Sequence, residues 1–137
     1  MDKPAHGLRH LARHLIHPIG AGKQRYCPRR SAKRQREDID LIVVATVTPE
    51  ITCPSQACTL QERLGAFNAG AFDLNAACSG WVYGSSTASS MIEARVAERV
   101  LLVGAEKLHY VMDYRDRSTS ILFGDGAGAV VFESSED

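Results

Sequence analysis

Cys78 has the setting of a reactive thiol. It lies in Ala71-Phe72-Asp73-Leu74-Asn75-Ala76-Ala77-Cys78-Ser79-Gly80-Trp81-Val82-Tyr83-Gly84, where an extended apolar run gives way to a helical pattern. Ala76, Ala77, Ser79 and Gly80 crowd it with small side chains. Small neighbours let a chain reverse tightly, so the pattern predicts a sharp strand-to-helix turn with the thiol at its tip. A thiol at a helix start faces unpaired N–H groups and the positive end of the helix dipole. Both favour the thiolate, the nucleophilic form. Local sequence alone leaves a buried structural cysteine equally open.

Other chemistry-bearing residues are less ordered in pattern. Cys27, Cys53 and Cys58 have no Cys-x-x-Cys spacing; Cys53 and Cys58 read as loop thiols or apolar fillers, and Cys27 as incidental to the basic leader. His6, His10 and His14 recur every fourth residue, with His17 close behind. That spacing can offer two imidazoles on one helical face, but no carboxylate or cysteine completes a ligand set. They read as an exposed basic face. His109 follows a strand and invites a Cys–His pairing; the sequence reading keeps it as a loop residue.

These groups need elements to hold them. The chain has 137 residues, enough for one ordinary domain, and no apolar stretch long enough for a membrane span. Its zero net charge hides a split. Residues 1–36 carry ten Lys/Arg against Asp2 alone; residues 37–137 carry six basic and fifteen acidic residues. We read residues 1–36 as a basic, disordered leader. Within it, Leu8, Leu11, Leu15 and Ile16 outline a short helix that Pro18 would end. Such a leader is also compatible with a targeting peptide or a nucleic-acid-binding arm. Tyr26 is its one stacking aromatic and Asp2 is an atypical transit start, so neither nucleic acid nor membrane is an expected partner. With no apolar signal segment, the expected compartment is the reducing cytoplasm.

From Glu37 onward the texture is α/β. Ile39 to Val47 reads as a buried strand. Ser55 caps a helix over Gln56 to Leu64, and Gly65 ends it. Ala71 to Asn75 is the next strand, followed by a small-residue helix from about Cys78 to Arg95. Arg99 to Gly104 is a third strand and Ala129 to Phe132 a last one. Glu106 to Arg117 is a polar excursion. Alternating strands and helices predict a layered sheet.

Several blocks together resemble one family. They are Leu41-Ile42-Val43-Val44-Ala45-Thr46, Thr48-Pro49, Cys53-Pro54-Ser55-Gln56-Ala57, Ala71 to Gly84, and Ser120-Ile121-Leu122-Phe123-Gly124-Asp125-Gly126-Ala127-Gly128-Ala129. Their order and spacing resemble β-ketoacyl-ACP synthase III over roughly residues 38–135. The resemblance implies a partial thiolase-like layered α/β/α domain with a mixed sheet over residues 37–137. It implies an acyltransferase of fatty acid initiation, condensing an acyl-CoA, typically acetyl-CoA, with malonyl acyl-carrier protein. Cys78 matches the acyl-accepting position, and its own N–H matches the oxyanion donor. Acyl transfer suits a thiolate, which both attacks and leaves readily.

Arg117 matches the arginine near the coenzyme A entrance, where a planar guanidinium can meet adenine or phosphate. Gly124 to Gly128 matches a glycine-rich turn beneath the active site, expected to serve close backbone packing. Trp81 stands for a commoner phenylalanine and is expected in the core. Cys53 stands where the family often has a bulky aromatic that shapes the partner subunit's acyl pocket, so primer chain length stays open.

The resemblance further implies a homodimer and no cofactor beyond the coenzyme A thioester. The family's histidine and asparagine, which activate the malonyl thioester, have no counterpart in these residues. The family's opening strand has none either. The expectation is a piece of a synthase, weak in condensation and poorly soluble alone because apolar sheet edges are left open. Two other readings remain. One is a non-catalytic fragment that pairs with a full-length synthase. The other is a polyketide or hydroxymethylglutaryl-CoA synthase relative, which shares the cysteine elbow; the Gly124 to Gly128 block favours the fatty-acid type.

Overall fold

A computed structural model of the chain describes residues 18–21 and 36–134. Among them, five strands form one mixed sheet: β1 (Pro18–Ala21), β2 (Leu41–Ala45), β3 (Gly70–Leu74), β4 (Arg99–Lys107) and β5 (Asp125–Ser134). Their order across the sheet is β1-β5-β4-β2-β3. β2 pairs in parallel with both β3 and β4, β5 runs antiparallel to β4, and β1 pairs in parallel with β5.

Two longer helices connect the parallel strands: α1 (Gln56–Leu64) joins β2 to β3, and α2 (Gly80–Glu93) joins β3 to β4. The path steps from β2 out to β3, then back across β2 to β4. Right-handed crossovers taken in opposite directions place their helices on opposite faces. The core divides accordingly. Ile42, Val44, Leu101 and Val103 pack with Ala57 and Leu60 of α1. Val43, Val100, Leu102 and Phe132 pack with Ala88 and Ile92 of α2. Successive β2 residues alternate between these layers, as a strand requires. Both faces are covered, so the whole run is apolar. Fully burying each such side chain contributes about 1.5–3 kcal/mol.

α1 is fixed at both ends. Ser55 Oγ accepts from Cys58 N at its start, and Gly65 closes it in the left-handed region at φ 72°. Asp73 of β3 accepts from Gln56 N at 2.7 Å and from Ala57 N at 2.8 Å. Those two N–H groups have no intrahelical acceptor, and a carboxylate is the strongest partner for them. α2 packs through a stripe of small residues. Gly80, Gly84, Ala88 and Ile92 are buried at four-residue spacing, and Gly80 lies where a Cβ would sit 3.2 Å from Ala45 Cβ.

The strands differ from the sequence reading in extent. β2 stops at Ala45, where Thr46 turns its N–H to Leu74 O, short of Val47. β4 runs on to Lys107 and β5 begins at Asp125, because the two pair continuously from Arg99↔Glu133 to Lys107↔Asp125. The sequence places no strand before Glu37; the structure pairs Pro18–Ala21 with β5. Proline is tolerated there, as the first residue of an edge strand. The helix expected over Leu8 to Ile16 lies outside the described residues.

Candidate active site

β3 ends at Leu74, and the chain reverses through a 3-10 turn, Ala77–Ser79, before α2 begins at Gly80. Ala77 adopts φ 46°, a conformation costly for a residue with a Cβ and met at functional turns. Its methyl group is the smallest side chain that could stand there apart from glycine's hydrogen. Cys78, next in line, is exposed. Ser79 N donates to Ala76 O and Gly80 N to Ala77 O, which leaves the Cys78 N–H without a backbone acceptor among the described residues. The strand-to-helix elbow read from the small residues is therefore present.

Cys78 borders an open concavity of about 510 Å³. It lies at the carboxyl ends of β2 and β4, where open α/β sheets place their ligand crevices. Ala45 and Gly104 form part of its floor, Trp81 one wall, and Leu122 and Phe123 another. Trp81 departs from the expected core position. It is 39% exposed and its ring packs over Gly104, where an added Cβ would stand 3.4 Å from Trp81 Cε3. Position 81 is the first full turn of α2 and faces the concavity, not the sheet interior.

The glycine-rich segment also departs from its expected role. Gly126 and Gly128 are strand residues of β5, paired with Glu106 and Gly104, and they line the concavity. A Cβ built on Gly124, Gly126 or Gly128 meets nothing within 4 Å. No close backbone approach accounts for these glycines among the described residues. Here the ladder with β4 overrides the low strand propensity of glycine.

Two carboxylates at the concavity were not singled out from sequence. Glu106 of β4 is half-buried and accepts from Val47 N at 3.0 Å, Thr48 Oγ1 at 2.6 Å and Thr46 Oγ1 at 3.5 Å. It thereby fixes the chain leaving β2. Asp125 opens β5. Its Oδ1 accepts from His109 N at 3.1 Å and its Oδ2 meets His109 Nδ1 at 2.5 Å. The His109 N–H, ahead of the ring contact and the Lys107 charge, holds the Asp125 carboxyl below its usual range. The Thr-x-Thr following an apolar strand, and an acid opening a glycine run, were the only available signals.

Arg117 opens α3 (Arg117–Ser120), a short helix capped by Asp116, whose Oδ1 accepts from Ser118 N at 2.9 Å. Arg117 is exposed, does not line the concavity, and makes no ion pair among the described residues. Cys53 is exposed; Cys58 is half-buried, with Ser55 Oγ 3.2 Å from its sulfur. Cys27 and the four histidines of residues 6–17 lie outside the described residues. No group of three metal-ligating side chains occurs among the described residues, and no described helix is long and apolar enough to cross a membrane.

Residues 72–137 match the family model of 3-oxoacyl-[acyl-carrier-protein] synthase III. The β-ketoacyl-[acyl-carrier-protein] synthase III of Xylella fastidiosa (strain 9a5c) is 51% identical over 111 residues, 81% of this chain and 34% of that protein. That of Geobacillus kaustophilus is 56% identical over 100 residues, 73% of this chain and 32% of that protein. The crystal structure of 3-oxoacyl-[acyl-carrier-protein] synthase III from Aquifex aeolicus superposes with a TM-score of 0.73 at 51% identity, over 75% of this chain and 33% of that one. The priming β-ketosynthase of the R1128 polyketide pathway superposes with a TM-score of 0.72 at 43% identity, over 75% of this chain and 31% of that one. The chain spans about a third of the length of the relatives it matches.

Proposed function

Because this chain belongs to the β-ketoacyl-ACP synthase III family, we propose that it carries the acyl-loading part of a decarboxylative condensing site. Cys78 is the acyl acceptor and an acyl-CoA, typically acetyl-CoA, is the donor. The Cys78 thiolate attacks the thioester carbonyl, and the tetrahedral oxyanion forms beside the unpaired Cys78 N–H. The coenzyme A thiolate then leaves and takes a proton, while the acyl group stays on Cys78 as a thioester. A donor aimed at the developing oxyanion is worth about 10²–10³ in rate. Arg117 serves the coenzyme A approach from outside the concavity.

The observation that supports the loading step most directly is the exposed Cys78 on a strained elbow at the edge of the concavity. Malonyl acyl-carrier protein is the acceptor in the complete reaction, in the cytoplasm and on a homodimer. Within these residues the condensing step is weak, because the histidine and asparagine implied by the resemblance are not supplied. The test is incubation with labelled acetyl-CoA, with and without malonyl acyl-carrier protein. Label on Cys78 as a hydroxylamine-labile thioester is expected, with little acetoacetyl product. Absence of that thioester would overturn the loading role, and turnover like that of a complete synthase would overturn the division of labour.

A further inference from the structure

We propose that His109 is a positioning residue for the Cys78 concavity, clasping Asp125 so that the apolar wall of Leu108, Leu122 and Phe123 is held in place beside Cys78 and limits the length of acyl group accepted. The proposal deepens the acyl-acceptor reading of Cys78 and rests on it.

The β4–β5 ladder ends at Lys107↔Asp125. Residues 108–124 then leave the sheet and return at the same point. His109 and Asp125 face each other across that neck, joined by both the His109 N–H and the ring nitrogen. The remaining hydrogen bonds of residues 108–124 run within the excursion or to Lys107 beside it. Examples are Val111 N to Leu108 O, Leu122 N to Thr119 O, and the Asp116 bonds to Ser118 and Thr119. Among the described residues, the clasp is therefore the one hydrogen-bonded tie from this excursion to β5.

The same excursion supplies apolar wall. Leu108 lines the concavity on the outgoing limb, and Leu122 and Phe123 on the returning limb. Leu122 and Phe123 are 70% and 47% exposed, so packing alone holds them weakly. Distance across the neck then decides how far the wall stands from Cys78. The imidazole is itself pinned: it stacks on Tyr110 at 4.4 Å, and Lys107 Nζ lies 4.5 Å from the Tyr110 ring centre and 4.0 Å from Glu50 Oε1. A ring held on one face and bonded through Nδ1 is oriented as a fixed strut.

The experiment loads the chain with acetyl-, butyryl- and octanoyl-CoA and reads acylation of Cys78 by mass. Trp81, the only tryptophan, reports the wall by acrylamide quenching. In His109→Ala the octanoyl-to-acetyl loading ratio rises about fivefold, as expected for losing one charge-assisted bond, and Trp81 becomes more quenchable. His109→Asn, which can still donate to Asp125, restores most of both. Asp125→Asn, with its size kept, serves as the second variant where His109→Ala lowers the folded fraction. If both His109→Ala and Asp125→Asn load normally with an unchanged ratio and unchanged quenching, the positioning role falls while the acyl-acceptor reading stands. If the unaltered chain loads no acyl group, that reading falls, and the Trp81 quenching of the same variants still decides whether His109 holds the wall.

Discussion

Gly84 of α2 lies against Leu102 of β4 so closely that a Cβ on Gly84 would stand 2.5 Å from Leu102 Cδ1. Leu102 is fully buried and packs in one layer with Val43 and Val100, so its side chain must shift within that core to admit a Cβ. The height of α2 above the sheet, and with it the position of Cys78 at the helix entrance, is set by this absent side chain. Gly84→Ala should gain about 1 kcal/mol of helix propensity and lose about 1–3 kcal/mol to overpacking. A net loss of up to about 2 kcal/mol in a urea melt is the expected outcome. A variant about 1 kcal/mol more stable than the parent, the full propensity gain, would mean that α2 can rise without cost.

Asp73 couples the sheet to α1, and its removal should cost more than loss of the local cap. Ser55 satisfies one N–H of the first turn, whereas Asp73 satisfies two from a neighbouring strand. Ser55→Ala should lose about 1 kcal/mol. Asp73→Ala should lose about 2–3 kcal/mol, since charge-assisted bonds are stronger and two part-buried donors are stranded. The order of the two denaturation midpoints checks the claim; equal midpoints would contradict it.

What could be read from sequence follows what is local. Ser55 and Gly65 bracket α1 because capping is chemistry within four residues, and the structure ends the helix at those residues. The run at Leu41–Ala45 and the small residues around Cys78 are likewise local signals, and both elements are present. The strand at Pro18–Ala21 carries no such signal: its partner is β5, more than a hundred residues away in the chain. Gly126 and Gly128 read as a turn because glycine disfavours strands, yet backbone pairing with β4 decides their state. Trp81 reads as core by type, but its helical position turns it to the concavity. Glu106 and Asp125 escaped notice because their partners, the Thr46–Thr48 segment and His109, are 16 or more residues away.

Acid should loosen the excursion before it touches the core. Asp116 is held below its usual 3.8, chiefly by the Ser118 hydroxyl and then the Thr119 hydroxyl; Asp125 is lowered chiefly by the His109 N–H. A folded-state pKa below the unfolded value gives a contribution present above the unfolded pKa and lost as pH falls through the folded one. The window therefore lies below about pH 4. Amide shifts of His109 and Ser118 should titrate there while those of β2 and β4 stay fixed. Asp116→Asn should remove the Ser118 titration alone. Shifts that move together with the core would show global unfolding in place of this local release.

The chain should self-associate through the apolar surface around the concavity. Trp81, Leu122 and Phe123 line the concavity and are 39%, 70% and 47% exposed, and Ile121, next to Leu122 in the chain, is 76% exposed. Clustered exposure of this kind marks an interaction or aggregation surface. Sedimentation should show mass rising with concentration, with strong binding of a hydrophobic dye. Ile121→Lys should reduce both without altering the melt. Monomeric behaviour of the unaltered chain at high concentration would count against an adhesive surface.

Glu106 should matter more through its charge than through its bulk. Its carboxylate takes bonds from Val47 N and from the Thr46 and Thr48 hydroxyls, while Thr48 Oγ1 accepts from Lys107 N at 2.8 Å. The end of β2 and the end of β4 are thus tied side by side at the floor of the Cys78 concavity. Glu106→Gln keeps the shape but offers one acceptor oxygen where three donors converge, so it should cost about 1–3 kcal/mol. Thr48→Val removes one of those donors and should cost about 1 kcal/mol. Since both act on one bond, the double variant should lose about 1 kcal/mol less than the sum. Additive losses in the melts would show that the 2.6 Å contact does not couple the two strand ends.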